Sequence, residues 1–94
     1  MCGINGFNFK DNSLAMRMKK FTKSRGPDAD GIYIDNFFTL LHDRLSILDL
    51  SSFANQPMTF ENLTITYNGE IYNFKNLKKE LIDFGYQFKT NCDT

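Results

Sequence analysis

Residues 1–6 read Met-Cys-Gly-Ile-Asn-Gly, so a cysteine directly follows the start methionine. If Met1 is removed, Cys2 becomes the first residue and carries both a thiol and a free α-amine, which are a nucleophile and a base. Thiols ionise near pH ~8.5 and α-amines near pH ~7.7 to 8.0, so the amine can accept a proton at neutral pH without a histidine partner. On these residues alone, a chance cysteine beside the start codon stays an open alternative.

Composition and charge narrow the class of protein. The 94 residues are 41% hydrophobic and 15% aromatic, which suits one small globular domain. Eleven Lys+Arg balance eleven Asp+Glu, so no global field attracts nucleic acid or an anionic membrane. We therefore predict no nucleic-acid partner, and we interpret the basic run at 17–25 as a solvated helix face and the loop after it.

Localisation is predicted from segments that the chain does not contain. No apolar stretch approaches the roughly 18 residues of a membrane span, and no basic region followed by an apolar segment opens the chain. We predict a cytoplasmic protein with no membrane partner and no metal site. In that compartment the two cysteines are expected to be free thiols.

Hydrophobic periodicity predicts the element order β-α-β-β-β-α-β, with antiparallel neighbours, which favours an α+β layered domain over a doubly wound parallel sheet. Predicted strands cover residues 3–9, 31–34, 37–41, 63–67 and 86–90, with a further extended segment at 42–50. A helix over residues 14–23 follows from Leu14, Met18 and Phe21 at helical spacing. A second helix presents the stripe Phe74, Leu77, Leu81 and Phe84, which we expect to be core, and Gly85 should cap it.

Two positions carry chemistry that local pattern alone leaves open. His42 is the only histidine, and a neutral, hydrogen-bonded ring at a strand end is a simpler interpretation than a catalytic role. Asn68-Gly69 follows the strand at 63–67, and this dipeptide is expected to turn tightly and present backbone N–H groups.

Five motifs, taken together, resemble the class II glutamine amidotransferase domain of glutamine-dependent asparagine synthetases. They are Cys2-Gly3-Ile4, Arg25-Gly26-Pro27-Asp28, His42-Asp43-Arg44-Leu45-Ser46-Ile47, Gln56-Pro57-Met58 and Tyr67-Asn68-Gly69-Glu70-Ile71-Tyr72-Asn73. The resemblance covers the whole chain in family order. Class II domains of sugar-phosphate and purine amidotransferases share the N-terminal cysteine, but the 25–28 loop and the 44–47 strip look more like the asparagine-synthetase branch.

The resemblance implies an N-terminal-nucleophile hydrolase-like fold, an αββα four-layer sandwich that is incomplete in this chain. Residues 1–94 would be the N-terminal part of the amidotransferase domain, with the rest of that domain and a synthetase domain outside them. We expect these residues alone to bury too little core to close both sheets.

The resemblance also implies the reaction. Cys2, once Met1 is gone, would attack the side-chain carboxamide of glutamine with its own α-amine as proton acceptor, and a retained Met1 would make that nitrogen an amide. Ammonia would leave and water would hydrolyse a γ-glutamyl thioester. Asn68, through its side chain, and Gly69, through its backbone N–H, resemble the family's oxyanion hole.

Substrate contacts are carried over in the same way. Arg44 would grip the α-carboxylate of glutamine, for which a planar, always-charged fork is well suited. The pocket would be lined largely by backbone of Leu45, Ser46, Ile47 and Leu48, with Asn68 and Gly69, and Glu70 and Asp93 would accept from the α-ammonium and amide groups. Arg25 and Asp28 are expected to brace the loop without taking part in the chemistry.

These implications define the expected function and partners. The chain would be the glutaminase part of an asparagine synthetase-like enzyme, with L-glutamine as substrate and an ATP-activated aspartate as nitrogen acceptor. No cofactor is expected in this segment, because ATP and Mg²⁺ would bind in the synthetase domain of the same full-length chain; homo-oligomerisation stays open. Two alternatives remain at this point: a non-catalytic fragment that binds glutamine or a partner, and an amidotransferase with a different nitrogen acceptor.

Cys92 stands where the family more often has Ser. If Asp93 reaches the pocket, Cys92 lies near Cys2, and the two thiols could form an oxidation-sensitive pair once their Cα atoms are within about 7 Å. The alternative is a near-isosteric replacement of serine in a strand-to-loop corner.

Overall fold

The chain folds into five strands and two helices in a computed structural model that describes residues 1–94. In order, the elements are β1 (Gly3–Phe7), α1 (Asn12–Thr22), β2 (Ala29–Ile34), β3 (Thr39–Arg44), β4 (Met58–Phe60), β5 (Leu63–Ile65) and α2 (Phe74–Asp83). Short 3₁₀ turns cover Lys23–Arg25 and Ser52–Ala54. The combination of helices and antiparallel strands that the sequence predicts, an α+β fold, is thus confirmed.

Strand β3 is the centre of a three-stranded antiparallel sheet with the order β1-β3-β2. On one side Gly3 lies opposite Asp43, and on the other Ala29 lies opposite Arg44. The start of β1 and the end of β3 therefore lie side by side. This register places Cys2, one residue before β1, next to the chain that follows Arg44.

The two faces of β3 have different partners because successive side chains on a strand point to opposite sides. The hydroxyl of Thr22 in α1 donates to Asp43 Oδ2 at 2.6 Å, which places α1 on the Asp43 face. His42 and Arg44 alternate with Asp43 and contact residues 49–67 on the other face. One side of the sheet is thus covered by a helix and the other by loops.

Most of the buried side chains are polar. Ala15, Leu41 and Ala54 are the buried apolar residues, whereas Thr39, His42, Asp43, Arg44 and Gln56 are buried with polar or charged groups. Because a buried polar group is costly unless it is hydrogen-bonded, each of these side chains restricts its neighbours. The small core therefore works through specific hydrogen bonds as much as through apolar packing.

Strands β4 and β5 form a separate two-stranded sheet, in which Met58 lies opposite Ile65. The segment before β4 lies directly on β2: the backbone of Gln56 and the ring of Pro57 leave no room for a Cβ atom at Gly31. Glycine at position 31 is thus required for the hairpin to approach the main sheet.

Helix α1 forms close to its predicted range and starts two residues earlier, with Asp11 as N-cap accepting from the N–H of Leu14 at 2.8 Å. Its inward residue is Ala15, which is fully buried, whereas Phe21 is 84% exposed. The expectation that Phe21 belongs to the inward stripe is therefore wrong. The small Ala15 side chain lets the helix lie close to β3.

Helix α2 forms and ends as predicted, with Gly85 at φ +97° after its last turn. The expectation that its apolar stripe is core is wrong in this structure, since Leu77 is 41%, Leu81 40% and Phe84 81% exposed. No strand or helix of the chain packs closely against α2.

The predicted strand at residues 86–90 is also wrong, because this segment pairs with no strand. It lies along α2 instead, where Lys78 Nζ donates to the carbonyl of Thr90 at 2.7 Å and lies 5.3 Å from the centre of the Phe88 ring. The N–H of Asn91 donates to Asp49 Oδ2 at 2.8 Å. Side-chain contacts hold this segment where a sheet ladder was expected.

Several strand boundaries differ from the predicted ones: β1 ends at Phe7, β2 begins at Ala29 and β5 ends at Ile65. The strand predicted at 37–41 begins at Thr39 and continues to Arg44, so the first residues of the predicted extended segment belong to it and residues 45–50 are irregular. Strand β4 was not predicted. The fold has no helix that is long and apolar enough to cross a membrane.

Candidate active site

A cavity of about 100 Å³ opens between the start of β1, the end of β3 and residues 67–70 and 92–94. It is well above the roughly 10–15 Å³ that a single water requires, so it can hold a small molecule. The predicted site residues that line it are Cys2, Arg44, Leu45, Ile47, Leu48, Asn68, Gly69, Glu70 and Asp93. Ser46 is the one predicted site residue outside its walls.

The thiol of Cys2 is held by a single residue across the sheet. The N–H of Leu45 donates to Cys2 Sγ at 3.3 Å, and the Leu45 carbonyl accepts the S–H at 3.8 Å. A backbone N–H aimed at the sulfur can also hold it when it carries negative charge, because hydrogen bonds to charged groups are the stronger ones. Leu45 can thus serve both protonation states of the thiol.

The backbone that carries Cys2 is fixed from the helix side. Arg25 Nε donates to the carbonyl of Cys2 at 3.4 Å. Asn5 Nδ2 donates to the hydroxyl of Thr22 at 2.8 Å, and a Cβ atom at Gly3 would lie only 2.8 Å from Thr22 Cβ. Glycine at position 3 therefore permits the close approach of α1 to β1. The strand enters the cavity from a fixed base.

The loop that follows β3 is braced by Asp28. Its carboxylate Oδ2 accepts from the N–H of Ser46 at 2.7 Å, and its own N–H donates to the carbonyl of Arg44 at 3.0 Å. These two bonds enclose Leu45, the residue that contacts the thiol. The loop-bracing role expected for Asp28 agrees with these contacts, whereas Arg25 contacts the carbonyl of Cys2.

Arg44 is buried, with 6% of its surface exposed, and it contacts its own loop. Nη1 donates to the carbonyl of Ser51 at 2.7 Å and to Asn55 Oδ1 at 2.8 Å, while Nη2 donates to the carbonyl of Asp49. A guanidinium has five N–H donors, so Nε–H and one Nη2–H have no partner in the chain. Arg44 holds the 45–55 loop and retains donors for a ligand.

The corner at residues 68–69 bends without forming a hydrogen-bonded turn, so the tight turn expected for Asn-Gly is wrong. The preceding residue, Tyr67, is held by two buried side chains: its N–H donates to Gln56 Oε1 at 2.6 Å and its carbonyl lies 3.2 Å from His42 Nε2. The corner takes its position from these contacts.

His42 is buried, with 1% of its surface exposed, and burial lowers the pKa of its ring below the usual 6.5. The contact with the Tyr67 carbonyl requires Nε2 to carry the proton, which leaves Nδ1 as an acceptor without a partner in the chain. A neutral, hydrogen-bonded ring was expected from the sequence and agrees with this environment. The ring lies within β3, not at its end.

The acidic side of the cavity comes from residues 70 and 93. Asp93 Oδ2 accepts from the N–H of Ile71 at 2.8 Å, whereas Glu70 is exposed. Asp49 also lines the cavity, and its carboxylate already accepts from the N–H groups of Ser51 and Asn91. The cavity thus has Arg44 as a fixed cation, with Glu70 and Asp93 as further carboxylates. Such a set complements a small zwitterion.

Cys92 lines the same cavity as Cys2, and both thiols are free. Cys92 Sγ lies 3.1 Å from the Thr90 hydroxyl and 3.7 Å from the Thr94 carbonyl. The oxidation-sensitive pair stays a prediction.

Comparison with known proteins identifies the family. The sequence model of one protein family, described as a glutamine amidotransferase domain, matches residues 1–94. This chain belongs to the glutamine amidotransferase domain family.

Several relatives of this amidotransferase domain carry a more specific name. It is 38% identical to glutamine-hydrolyzing asparagine synthetase 1 of Bacillus subtilis, over all of this chain and 16% of that protein. It is 40% identical to glutamine-hydrolyzing asparagine synthetase B of Escherichia coli, over 99% of this chain and 18% of that protein. A relative from Brassica oleracea, also a glutamine-hydrolyzing asparagine synthetase, is 39% identical over 99% of this chain and 17% of its own length. The chain thus spans less than a fifth of the length of these three relatives.

Two residues that position the walls of this cavity were missed by sequence reasoning. Gln56 is one of the motif residues, yet nothing in a loop pattern shows that its amide is buried and bonded to Tyr67. Tyr67 is the last residue of the strand predicted at 63–67. Its backbone groups hydrogen-bond with the side chains of Gln56 and His42, where hydrogen bonds to a neighbouring strand were expected. The available signal in the sequence was the Gln56-Pro57 dipeptide.

Proposed function

We propose that this chain is the glutaminase part of an asparagine synthetase-like enzyme, which hydrolyses L-glutamine to glutamate and ammonia. The observation that carries the proposal is the Cys2 thiol, held by Leu45 at 3.3 Å in a cavity that Arg44 and Asp93 also line. The family and the printed names of the relatives support it.

The nucleophile is Cys2 after removal of Met1. Its α-amine accepts the thiol proton, and Sγ attacks the side-chain carbonyl carbon of glutamine. The C–N bond breaks, the nitrogen leaves as ammonia with the proton returned by the amine, and a γ-glutamyl thioester remains. Water then cleaves the thioester to glutamate and restores the thiol. No histidine is needed, which fits a buried, neutral His42 engaged with Tyr67.

Charge that develops on the carbonyl oxygen is held by the side chain of Asn68 and the N–H of Gly69. Both residues line the cavity with Cys2. Removing one donor of this kind typically costs roughly 10²- to 10³-fold in rate.

Specificity for a free amino acid rests on the two ends of the substrate. Arg44 donates its remaining N–H groups to the α-carboxylate, and Glu70 and Asp93 accept from the α-ammonium and amide groups. Leu45, Ile47 and Leu48 line the side-chain pocket, and Ser46, outside the cavity wall, acts by anchoring Leu45 through Asp28.

The proposal extends to the intact protein. Residues 1–94 form the N-terminal part of a four-layer N-terminal-nucleophile domain, and a synthetase domain with ATP and Mg²⁺ uses the ammonia to amidate activated aspartate. The names of relatives that are several times longer than this chain support this extension. A cytoplasmic location belongs to the same proposal.

The test compares two cysteines that line one cavity. In the intact protein, Cys2→Ala should abolish ammonia release from glutamine and leave ammonia-dependent asparagine formation in place, while Cys92→Ala should keep most glutaminase activity. N-terminal sequencing should find Cys2 as the first residue. Glutaminase activity that survives Cys2→Ala would exclude the proposed nucleophile.

A further inference from the structure

The corner that carries Asn68 and Gly69 is positioned by side chains. Strand β5 ends at Ile65, and the backbone of Tyr67 makes no sheet hydrogen bonds. Its N–H donates to Gln56 Oε1 at 2.6 Å, and its carbonyl accepts from His42 Nε2 at 3.2 Å. Any change in these two buried side chains is therefore transmitted to the next two residues of the chain.

Gln56 also reaches the opposite part of the cavity. Its Nε2 donates to the Thr94 hydroxyl at 3.1 Å, one residue beyond Asp93, whose carboxylate accepts from the N–H of Ile71. Only 7% of the Gln56 surface is exposed. Because Oε1 faces an N–H donor, Nε2 must face Thr94, so both halves of the amide are used. One buried amide connects the two segments that flank the cavity.

The backbone of Gln56 has a fixed position of its own. It lies against Gly31 in β2 so closely that a side chain at position 31 would overlap its carbonyl. Gly31 lies opposite His42 in the register of β2 and β3. His42 and Gln56, which hold Tyr67, therefore both lie beside Gly31 of the central sheet.

We propose that Gln56 is a positioning residue for both ends of the glutamine site. Through Tyr67 it sets where the Asn68 and Gly69 donors stand relative to the Cys2 sulfur, and through Thr94 it sets where Asp93 meets the α-ammonium. This inference rests on the proposed glutaminase function. Gln56 lines the cavity, but both ends of its amide are bonded within the chain, so it acts through Tyr67 and Thr94.

Matched substitutions in the intact protein separate the two arms. Gln56→Met keeps the length of the side chain and removes both hydrogen bonds, so kcat for ammonia release should fall about 100-fold, as expected for donors displaced by about 1 Å, and KM should rise. Gln56→Glu keeps an acceptor for the Tyr67 N–H and should recover about tenfold of the lost kcat. Thr94→Val removes only the second arm and should raise KM while kcat stays within about twofold.

The control is Thr59→Val on the β4–β5 hairpin, where the Thr59 and Thr64 hydroxyls lie 3.1 Å apart and are exposed. It loses one threonine hydrogen bond outside the cavity and should change neither kcat nor KM. The proposal is overturned if Gln56→Met keeps the parent kcat and KM, or if Gln56→Glu is no better than Gln56→Met. Should Gln56→Met not fold, Gln56→Glu and Thr94→Val decide. The proposal is refuted if Thr94→Val has the parent KM and Gln56→Glu loses kcat by about 100-fold, the loss expected when the corner is displaced.

Amide exchange of Tyr67 distinguishes failure of this inference from failure of the proposed function. Loss of the Gln56 acceptor should speed exchange of the Tyr67 N–H by about tenfold or more, whatever the enzyme does, because a hydrogen-bonded amide exchanges only when its bond opens. A parent protein without glutaminase activity would refute the proposed function, and Tyr67 exchange would still report on Gln56. An active parent with unchanged Tyr67 exchange in Gln56→Met would refute the inference alone.

Discussion

The sulfur of Cys2 lies 3.3 Å from the backbone nitrogen of Leu45, although 43 positions separate the two residues in the chain. The antiparallel register of β1 and β3, with Gly3 opposite Asp43, produces this contact. A residue just before one strand necessarily meets the residues just after its antiparallel neighbour. The geometry of the thiol is therefore a property of the central sheet and of the loop that leaves it.

Asp28 should control the thiol through that loop. Asp28→Ala removes the acceptor of the Ser46 N–H, so Leu45 keeps only one of its two braces, and kcat for ammonia release should fall roughly tenfold. Asp28→Asn keeps an oxygen acceptor and should behave nearly as the parent. The rate of Cys2 alkylation, measured with Cys92 replaced by Ala, checks the same effect on the free protein. Equal alkylation and turnover in Asp28→Ala and the parent would contradict it.

Arg44→Lys should weaken glutamine binding and also destabilise the fold. A lysine ammonium cannot span the carbonyls of Ser51 and Asp49 and the side chain of Asn55, so buried acceptors lose their donor. The expected loss is roughly 1–3 kcal/mol of unfolding free energy, with a raised KM for glutamine. Arg17→Lys on the exposed side of α1 is the matched control. An unaltered KM would remove Arg44 from the glutamine site.

Gly31→Ala in β2 should cost more stability than the same change at Gly6 in β1, the other edge strand of the sheet. At Gly31 the new methyl group meets the backbone of Gln56, which cannot move without displacing Pro57, whereas at Gly6 it meets the end of the flexible Leu40 side chain at 3.2 Å. Overpacking of the first kind typically costs roughly 1–3 kcal/mol. Chemical denaturation of both variants measures the difference, and equal midpoints would be inconsistent with a rigid Gln56 backbone.

Acid should loosen the contact between the 45–51 loop and the 91–94 segment. Hydrogen bonds from the Asn91 N–H and from Ser51 lower the pKa of Asp49 from 3.8 to about 2. Because the folded-state pKa is depressed, the stabilisation is present above pH 3.8 and is lost as the pH falls toward about 2. Asp49→Asn should therefore reduce the difference in stability between pH 5 and pH 2.

Urea denaturation of the parent and of Asp49→Asn at the two pH values tests this prediction. Asp83→Asn is the control, because the Asp83 carboxylate at the end of α2 makes no side-chain hydrogen bond. Asp30 and Asp35 also have lowered pKa values, held by Lys19 and by the backbone of Phe37, and they contribute to acid unfolding in every variant. An Asp49→Asn protein with the parent's full acid sensitivity would argue against the contact.

Local sequence signals predicted the elements that depend on local chemistry. The Asp11 cap, the first helix and the Gly85 terminus all follow from side chains within a few residues of each element. The predicted strand at 86–90 failed because strand propensity does not supply a partner, and Lys78 occupies the Thr90 carbonyl instead.

Burial could not be predicted from periodicity. Phe21 and the α2 stripe have helical spacing, yet spacing shows only which residues share a face and not whether anything covers it. The candidate site came from motifs that resemble a family, since residues 2, 44–48, 68–70 and 93 have no local pattern in common. Gln56 was missed because a polar residue in a loop is usually solvated, and only the fold shows that its amide is enclosed.

The polar composition of the most enclosed strand has a consequence for engineering this protein. Replacing buried charged or polar groups with well-packed apolar residues of similar volume can raise stability, and Asp43, His42 and Arg44 are the buried groups of this strand that such a route would target. Here that route would remove the groups that hold Thr22, Tyr67 and the 45–55 loop. A variant made more heat-stable in this way should therefore be less active. Efforts to raise its melting temperature belong at the exposed faces of the two helices, away from the sheet.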